Sequence, residues 1–276
     1  MTTTTTTDRT LRRYASVRDM LPDVDNPTPL VRLNRVAPGV ETYLKLEWLN
    51  PFGSIKDRAA ASILNGLEEA GRLDGGHVVE ATSGNTGIAL AALAALGGVP
   101  ITVTVPDGIP EEKKVILRML GAELWETPDD LCPVEMPKDG AIALARSLAA
   151  SSSHYALGDQ YRNHDNVIAH YTTTGPEIWT QTEGTVRWFV TGLGTGGTVS
   201  GAGRYLKERD PSIRVVAVEP QPGHRIPGLK NLAEAKTPEI LDLDVIDEMI
   251  RVDDGPAYEM TRRLWREEAL MVGPST

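Results

Sequence analysis

Cysteine is almost missing from this 276-residue chain, Cys132 being its one thiol. That excludes an internal disulfide framework and fits a reducing cytoplasm. Cys132 sits in a Pro/Asp-rich stretch, 127–139, with no His/Cys cluster around it, so a metal centre is not expected. Positive charge is also in deficit. The 28 Lys and Arg against 38 Asp and Glu leave a formal net charge of −10, which argues against nucleic acid or an anionic membrane as main partner. No long apolar run survives inspection: 82–106 is free of charge, but Gly97, Gly98 and Pro100 split it into a helix and a strand too short to span a bilayer. The threonine tract that opens the chain lacks the apolar stretch of a signal peptide, and residues 1–10 are expected to form a disordered tail.

What is present is an alternation. Short apolar strands are expected at 78–80, 101–105, 124–126, 154–157, 187–191 and 215–219. Helices are expected over 57–71, 88–96, 111–120 and 140–150, and from the glycine-rich segment after 191 to about 209. Strands joined through full helices must run parallel, with the helices covering both faces. The expected fold class is therefore α/β, in two lobes, each a largely parallel twisted sheet with helices on both faces. The smaller, mobile lobe is expected over 48–153 and the larger over 11–47 and 154–276, with a hinge region near 145–158.

Three segments carry chemistry. The first is Asn50-Pro51-Phe52-Gly53-Ser54-Ile55-Lys56-Asp57-Arg58. Pro51 and Gly53 break the chain and Ser54 is a good N-cap, so Lys56 falls in the first turn of a helix. The positive end of a helix favours the neutral amine, the form that can make a Schiff base with an aldehyde. The second, Thr82-Ser83-Gly84-Asn85-Thr86-Gly87, joins a strand to a helix and holds more hydrogen-bonding side chains than capping requires, which suits a carboxylate ligand. The third, Gly192-Leu193-Gly194-Thr195-Gly196-Gly197-Thr198, lies between a strand and a helix, where glycines let backbone amides wrap a phosphate. It also satisfies G-x-G-x-x-G, with Glu219 where a dinucleotide fold places its ribose acid, so a nicotinamide enzyme is a rival on this segment alone. Against that rival, the loop comes well after the first βα unit, and Thr195 and Thr198 add hydroxyls suited to a phosphate monoester.

These segments, in this order, resemble the cysteine synthase and cystathionine β-synthase family of pyridoxal-phosphate enzymes, the fold-type-II (tryptophan synthase β-like) group. The match continues through Asn26-Pro27-Thr28-Pro29-Leu30-Val31, Asp159-Gln160-Tyr161-Arg162-Asn163, Thr174-Gly175-Pro176-Glu177-Ile178 and Gly273-Pro274-Ser275-Thr276. The resemblance implies pyridoxal 5′-phosphate as cofactor, held covalently by Lys56. Asn85 would bond the ring hydroxyl, Gly194, Thr195, Gly196, Gly197 and Thr198 would cradle the phosphate, and Ser275 would face the pyridine nitrogen. Thr82, Ser83, Gly84, Thr86 and Gln160 would bind the substrate α-carboxylate.

The reaction so implied is β-replacement on an activated serine, O-acetylserine or O-phosphoserine, with a sulfur nucleophile. Lys56 would be the base, and the smaller lobe would close to exclude water. Lys230, with Arg225 nearby, would receive a leaving phosphate. The segment at 159–163 looks closest to the cystathionine β-synthase version and keeps open a condensation of serine with homocysteine. A cytoplasmic homodimer is the expected assembly. Two departures stand out. Ala81 replaces the family's usual proline, and the sequence stops at Thr276, where relatives continue, so an uncovered sheet edge and apolar face are expected. A catalytically degraded homologue acting as a binding scaffold is the non-enzyme alternative, against which the retention of Lys56 counts.

Overall fold

The computed structural model describes residues 9–82, 84–128 and 140–276; Ser83 and Cys132 lie outside the described residues. A small antiparallel pair, β1 (Leu30–Arg32) and β2 (Tyr43–Lys45), comes first and precedes α1 (Lys56–Glu69). Then follow β3 (His77–Ala81), α2 (Asn85–Gly97), β4 (Ile101–Pro106), α3 (Glu111–Met119), β5 (Glu123–Thr127), α4 (Ala141–Ser151) and β6 (Tyr155–Leu157). Their strands form one parallel sheet in the order β5-β4-β3-β6. Thus β6, which comes after the expected changeover at residue 153, belongs to the first sheet because its backbone pairs with β3.

The chain continues through α5 (Asp165–Ala169), a π-helical turn (His170–Thr174) and α6 (Gly175–Gln181) into a second parallel sheet. That sheet is β7 (Trp188–Gly192), β8 (Arg214–Pro220) and β9 (Glu248–Val252), with α7 (Gly197–Arg209) between β7 and β8 and α8 (Asp254–Glu268) after β9. The fold is α/β, with two parallel sheets and the small antiparallel pair. Each sheet has its own core, built around Ile63, Val78, Leu90, Val103 and Leu117 in one case and Leu193, Leu206, Ile213 and Val215 in the other.

Local sequence accounts for most of this. The uncharged stretch resolves into α2, whose residues from Ala89 to Ala94 are all buried, then a left-handed stop at Gly98 (φ 66°) and the fully buried β4. No helix among the described residues is long and apolar enough to cross a membrane. The π-helical turn precedes Pro176, whose missing N–H and ring crowd the preceding turn and favour a wider one. The connections place the ends of α1, α2 and α7 in one region: α1 packs on α2 and α5, and α5 packs on α7.

Candidate active site

Lys56 opens α1, as its surroundings predict. Gly53 turns the chain in a left-handed conformation (φ 89°), and Ser54, one residue before the N-cap Ile55, accepts the Lys56 backbone N–H on its hydroxyl at 3.1 Å, satisfying one amide at the start of the helix. The Asp57 carboxylate reaches back to the Phe52 N–H at 2.6 Å and tightens the same loop. Burial raises the Asp57 pKa to about 6. The Lys56 side chain is largely enclosed, and desolvation alone lowers its pKa to about 8. No carboxylate pairs with it among the described residues.

The glycine loop lies between β7 and α7. Gly196 is left-handed (φ 87°), a conformation side chains disfavour. A Cβ on Gly197 would stand 2.2 Å from Asn166 Oδ1, and one on Gly194 2.8 Å from the Gly228 carbonyl, so neither position has room for one. Thr195 is buried and its Oγ1 accepts from Asn166 Nδ2 at 2.9 Å. The Thr198 hydroxyl meets His170 Nε2 at 3.3 Å, while His170 Nδ1 meets the Thr174 hydroxyl at 2.9 Å. Burial, then the nearby charges of Arg58 and Lys56, push the His170 pKa down to about 3, so this imidazole is neutral. The charge of Lys56 is among those acting on His170, whose Nε2 meets the Thr198 hydroxyl of the glycine loop.

The segment at 82–87 brings its residues together less completely. Thr82 is buried and its hydroxyl accepts the Gly84 N–H at 3.2 Å. Thr86, in the first turn of α2, donates to Gln160 Oε1 at 2.8 Å, both groups being buried. Asn85 is exposed at the first position of α2. Ser275 is also exposed, in a turn whose backbone oxygen lies 3.5 Å from where a Gly192 Cβ would be. Lys230 is anchored by its N–H to the Leu193 carbonyl at 2.8 Å, and its ammonium lies 5.3 Å from the centre of the Tyr161 ring. Arg225 is exposed, and its N–H donates to Asp254.

Glu219 corrects one alternative. It is fully buried and already accepts from the Leu232 N–H at 3.0 Å and Arg251 Nε at 2.6 Å, so it does not stand ready for a ribose.

Several important residues carried no legible role in the sequence. Arg58 is buried between Glu47 (2.8 and 2.9 Å) and Glu177 (2.5 and 2.9 Å), and Lys45 adds a second cation to Glu177 at 2.7 Å. Burial opposes these charges, yet Arg58 holds the Glu47 pKa at about 2. Thr28, Arg58 and Glu177 each lie in a matched segment, so the segments themselves were the available signal. Glu80, on β3, is buried under Gln160; burial and then the charge of Asp159 raise its pKa to about 8. Asn166 and His170 gave no local sign.

Taken as chemistry, an amine titrating near pH 8 and a glycine-lined loop at a helix start suit a ligand that carries both an aldehyde and a phosphate. A family model described as pyridoxal-phosphate dependent enzyme matches residues 21–276, and the chain belongs to that family. Cysteine synthase B of Salmonella typhimurium LT2 is 40% identical over 255 residues, covering 90% of this chain and 81% of that protein. The cysteine synthase of Aquifex aeolicus is 41% identical over 271 residues, covering 95% and 81%. The crystal structure of a hydrogen sulfide-producing enzyme from Fusobacterium nucleatum superposes with a TM-score of 0.85 at 33% identity, covering 95% of this chain and 88% of that one. The expected cofactor is thereby established as pyridoxal phosphate, and the fold as type II. The residues fit it: Lys56 offers the amine, and the loop from Gly194 to Thr198 is rich in positions without a side chain, where backbone amides can approach a phosphate.

Proposed function

We propose that this protein replaces the β-substituent of an activated serine, O-acetylserine or O-phosphoserine, with a sulfur nucleophile to give L-cysteine or a thioether analogue. The observation that supports the reading is Lys56, enclosed without a counter-charge among the described residues, titrating near pH 8 and acting electrostatically on His170, which meets Thr198 of the glycine loop. Once bound, the cofactor supplies the electron sink that makes the substrate α-proton removable. Lys56 holds it and, when displaced by substrate, takes that proton; an amine of pKa about 8 is matched to such a transfer near neutrality.

Thr82, Ser83, Gly84, Thr86 and Gln160 hold the substrate carboxylate at the positive end of α2. The Thr86–Gln160 bond supports this reading, because it fixes two of these side chains before substrate arrives. Asn85 and Ser275 address the cofactor ring. A neutral serine hydroxyl does not force protonation of the ring nitrogen, which favours loss of a β-substituent over chemistry needing a long-lived carbanion. Lys230 receives the leaving group if it is a phosphate. The smaller lobe closes over the site, and the assembly is a cytoplasmic homodimer. A second reading, condensation of serine with homocysteine, draws on Asp159 to Asn163 and on a 37% identity over 265 residues to the cystathionine beta-synthase of Apis mellifera, of which this chain covers 52%.

The test is spectral titration with both activated serines. The purified protein should be yellow, lose its visible band on borohydride reduction and shift its spectrum with one of the two esters. Lys56→Ala should abolish turnover, and an active Lys56→Ala protein would overturn the assignment.

A further inference from the structure

Asn166 joins the two halves of the site. It sits in the first turn of α5, fully enclosed, and uses both hydrogens of one amide nitrogen: Nδ2 donates to the Gln160 carbonyl at 2.8 Å and to Thr195 Oγ1 at 2.9 Å. Among the described residues its Oδ1 is buried with no hydrogen-bond partner, and it faces Gly197, where a Cβ would come within 2.2 Å.

The orientation of that amide is determined. Turning it over would set Oδ1 against the Gln160 carbonyl, two acceptors in contact in a dry site. With Nδ2 facing Thr195, the threonine oxygen is an acceptor and its own hydrogen must point elsewhere. An anion seated in the glycine loop would be an acceptor for it. A buried hydroxyl oriented in this way donates without reorganising when the anion arrives.

We propose that Asn166 is a positioning residue that couples the substrate side of the site to the phosphate side, one amide fixing both the Gln160 backbone and the Thr195 hydroxyl. The inference rests on the function proposed above. Asn166 touches neither substrate nor cofactor; it acts through its two partners. A ligand that shifts Gln160 moves the donor that orients Thr195, so occupancy of either loop alters the other, and linkage makes the effect reciprocal.

Two measurements on the protein test this: the Kd of the apo-protein for pyridoxal phosphate, by absorbance titration, and the KM of the holoenzyme for the better activated serine. Asn166→Ala should weaken cofactor binding about tenfold, the worth of one buried hydrogen bond, and should also raise that KM. Thr195→Val should weaken the cofactor by a similar factor and raise KM by less than Asn166→Ala does, because the bond from Asn166 to the Gln160 carbonyl remains. The double variant should bind the cofactor no worse than Thr195→Val, because Asn166 acts on the phosphate through that hydroxyl. The near-isosteric Asn166→Leu, which removes both donations without adding a charge beside the loop, should reproduce the alanine phenotype and carries the test if Asn166→Ala does not fold. Additive losses in cofactor affinity, or an Asn166 variant with both constants within twofold of the parent, would overturn the coupling. Failure of the parent protein to bind pyridoxal phosphate at all would instead overturn the function on which it rests.

Discussion

Lys56 and Arg58 stand two residues apart on α1, and the protein treats them in opposite ways. Arg58 is enclosed by two carboxylates and two hydroxyls, from Glu47, Glu177, Thr28 and Thr173, so its charge is fully answered. Lys56 is enclosed with nothing to answer its charge among the described residues, and its pKa falls to about 8. The first arrangement ties α1 to the β1–β2 region and to α6. The second leaves an amine with a lowered pKa, the property on which the proposed function draws. Desolvation acts on both cations, and only the presence of partners separates a structural charge from a chemical one.

The largest effect should come from removing the answered charge. Arg58→Met leaves Glu47 and Glu177 buried without their shared cation and should destabilise the protein by ~3–5 kcal/mol. A urea unfolding midpoint within experimental error of the parent would remove Arg58 from its structural role. The opposite sign is expected two residues earlier. The folded pKa of Lys56 lies below its ordinary 10.5, so the buried charge weakens the fold below about pH 8, and that cost disappears as pH rises from 8 towards 10.5. In the apo-protein, Lys56→Met should therefore raise stability at pH 7 by ~1–3 kcal/mol, allowing for partial exposure, and the gain should vanish near pH 10.5.

The smallest effect sharpens the comparison among acids. Glu47, held at about pKa 2 by Arg58, contributes stability that is present above pH 4.5 and lost as pH falls towards 2. Glu80 behaves in the reverse sense: with a folded pKa of about 8, its contribution is complete below pH 4.5 and lost as pH rises through 8. Glu80→Gln should match the parent near pH 4.5 and exceed it by ~1–2 kcal/mol at pH 9, measured by thermal or urea unfolding. Identical alkaline limbs would show that Glu80 does not titrate in the fold.

The long elements were readable because their signals are local. The expected strand at 101–105 became Ile101–Pro106, and the expected helix at 111–120 became Glu111–Met119, since β-branched runs and amphipathic spacing need no distant partner. β1 and β2 were missed because three residues give no measurable period; their identity comes from pairing with each other. The edge strand β9 and the helix α8 beyond it were also missed, and β9 takes its place by pairing with β8. Nor does a local pattern announce the π-helical turn that sets the His170 ring between Thr174 and Thr198.

The sequence by itself determined where the chemistry could sit. The Gly53 turn, the Ser54 hydroxyl bond and the left-handed Gly196 are properties of neighbouring residues, and they bring Lys56 and the glycine loop to helix starts in any fold that keeps those helices. Tertiary structure alone decided what each group became. Whether a cation is answered, whether a carboxyl is neutral and whether Asn166 reaches both Gln160 and Thr195 depend on residues far apart along the chain, because solvent exclusion and charge pairing belong to the packed molecule and to no single segment.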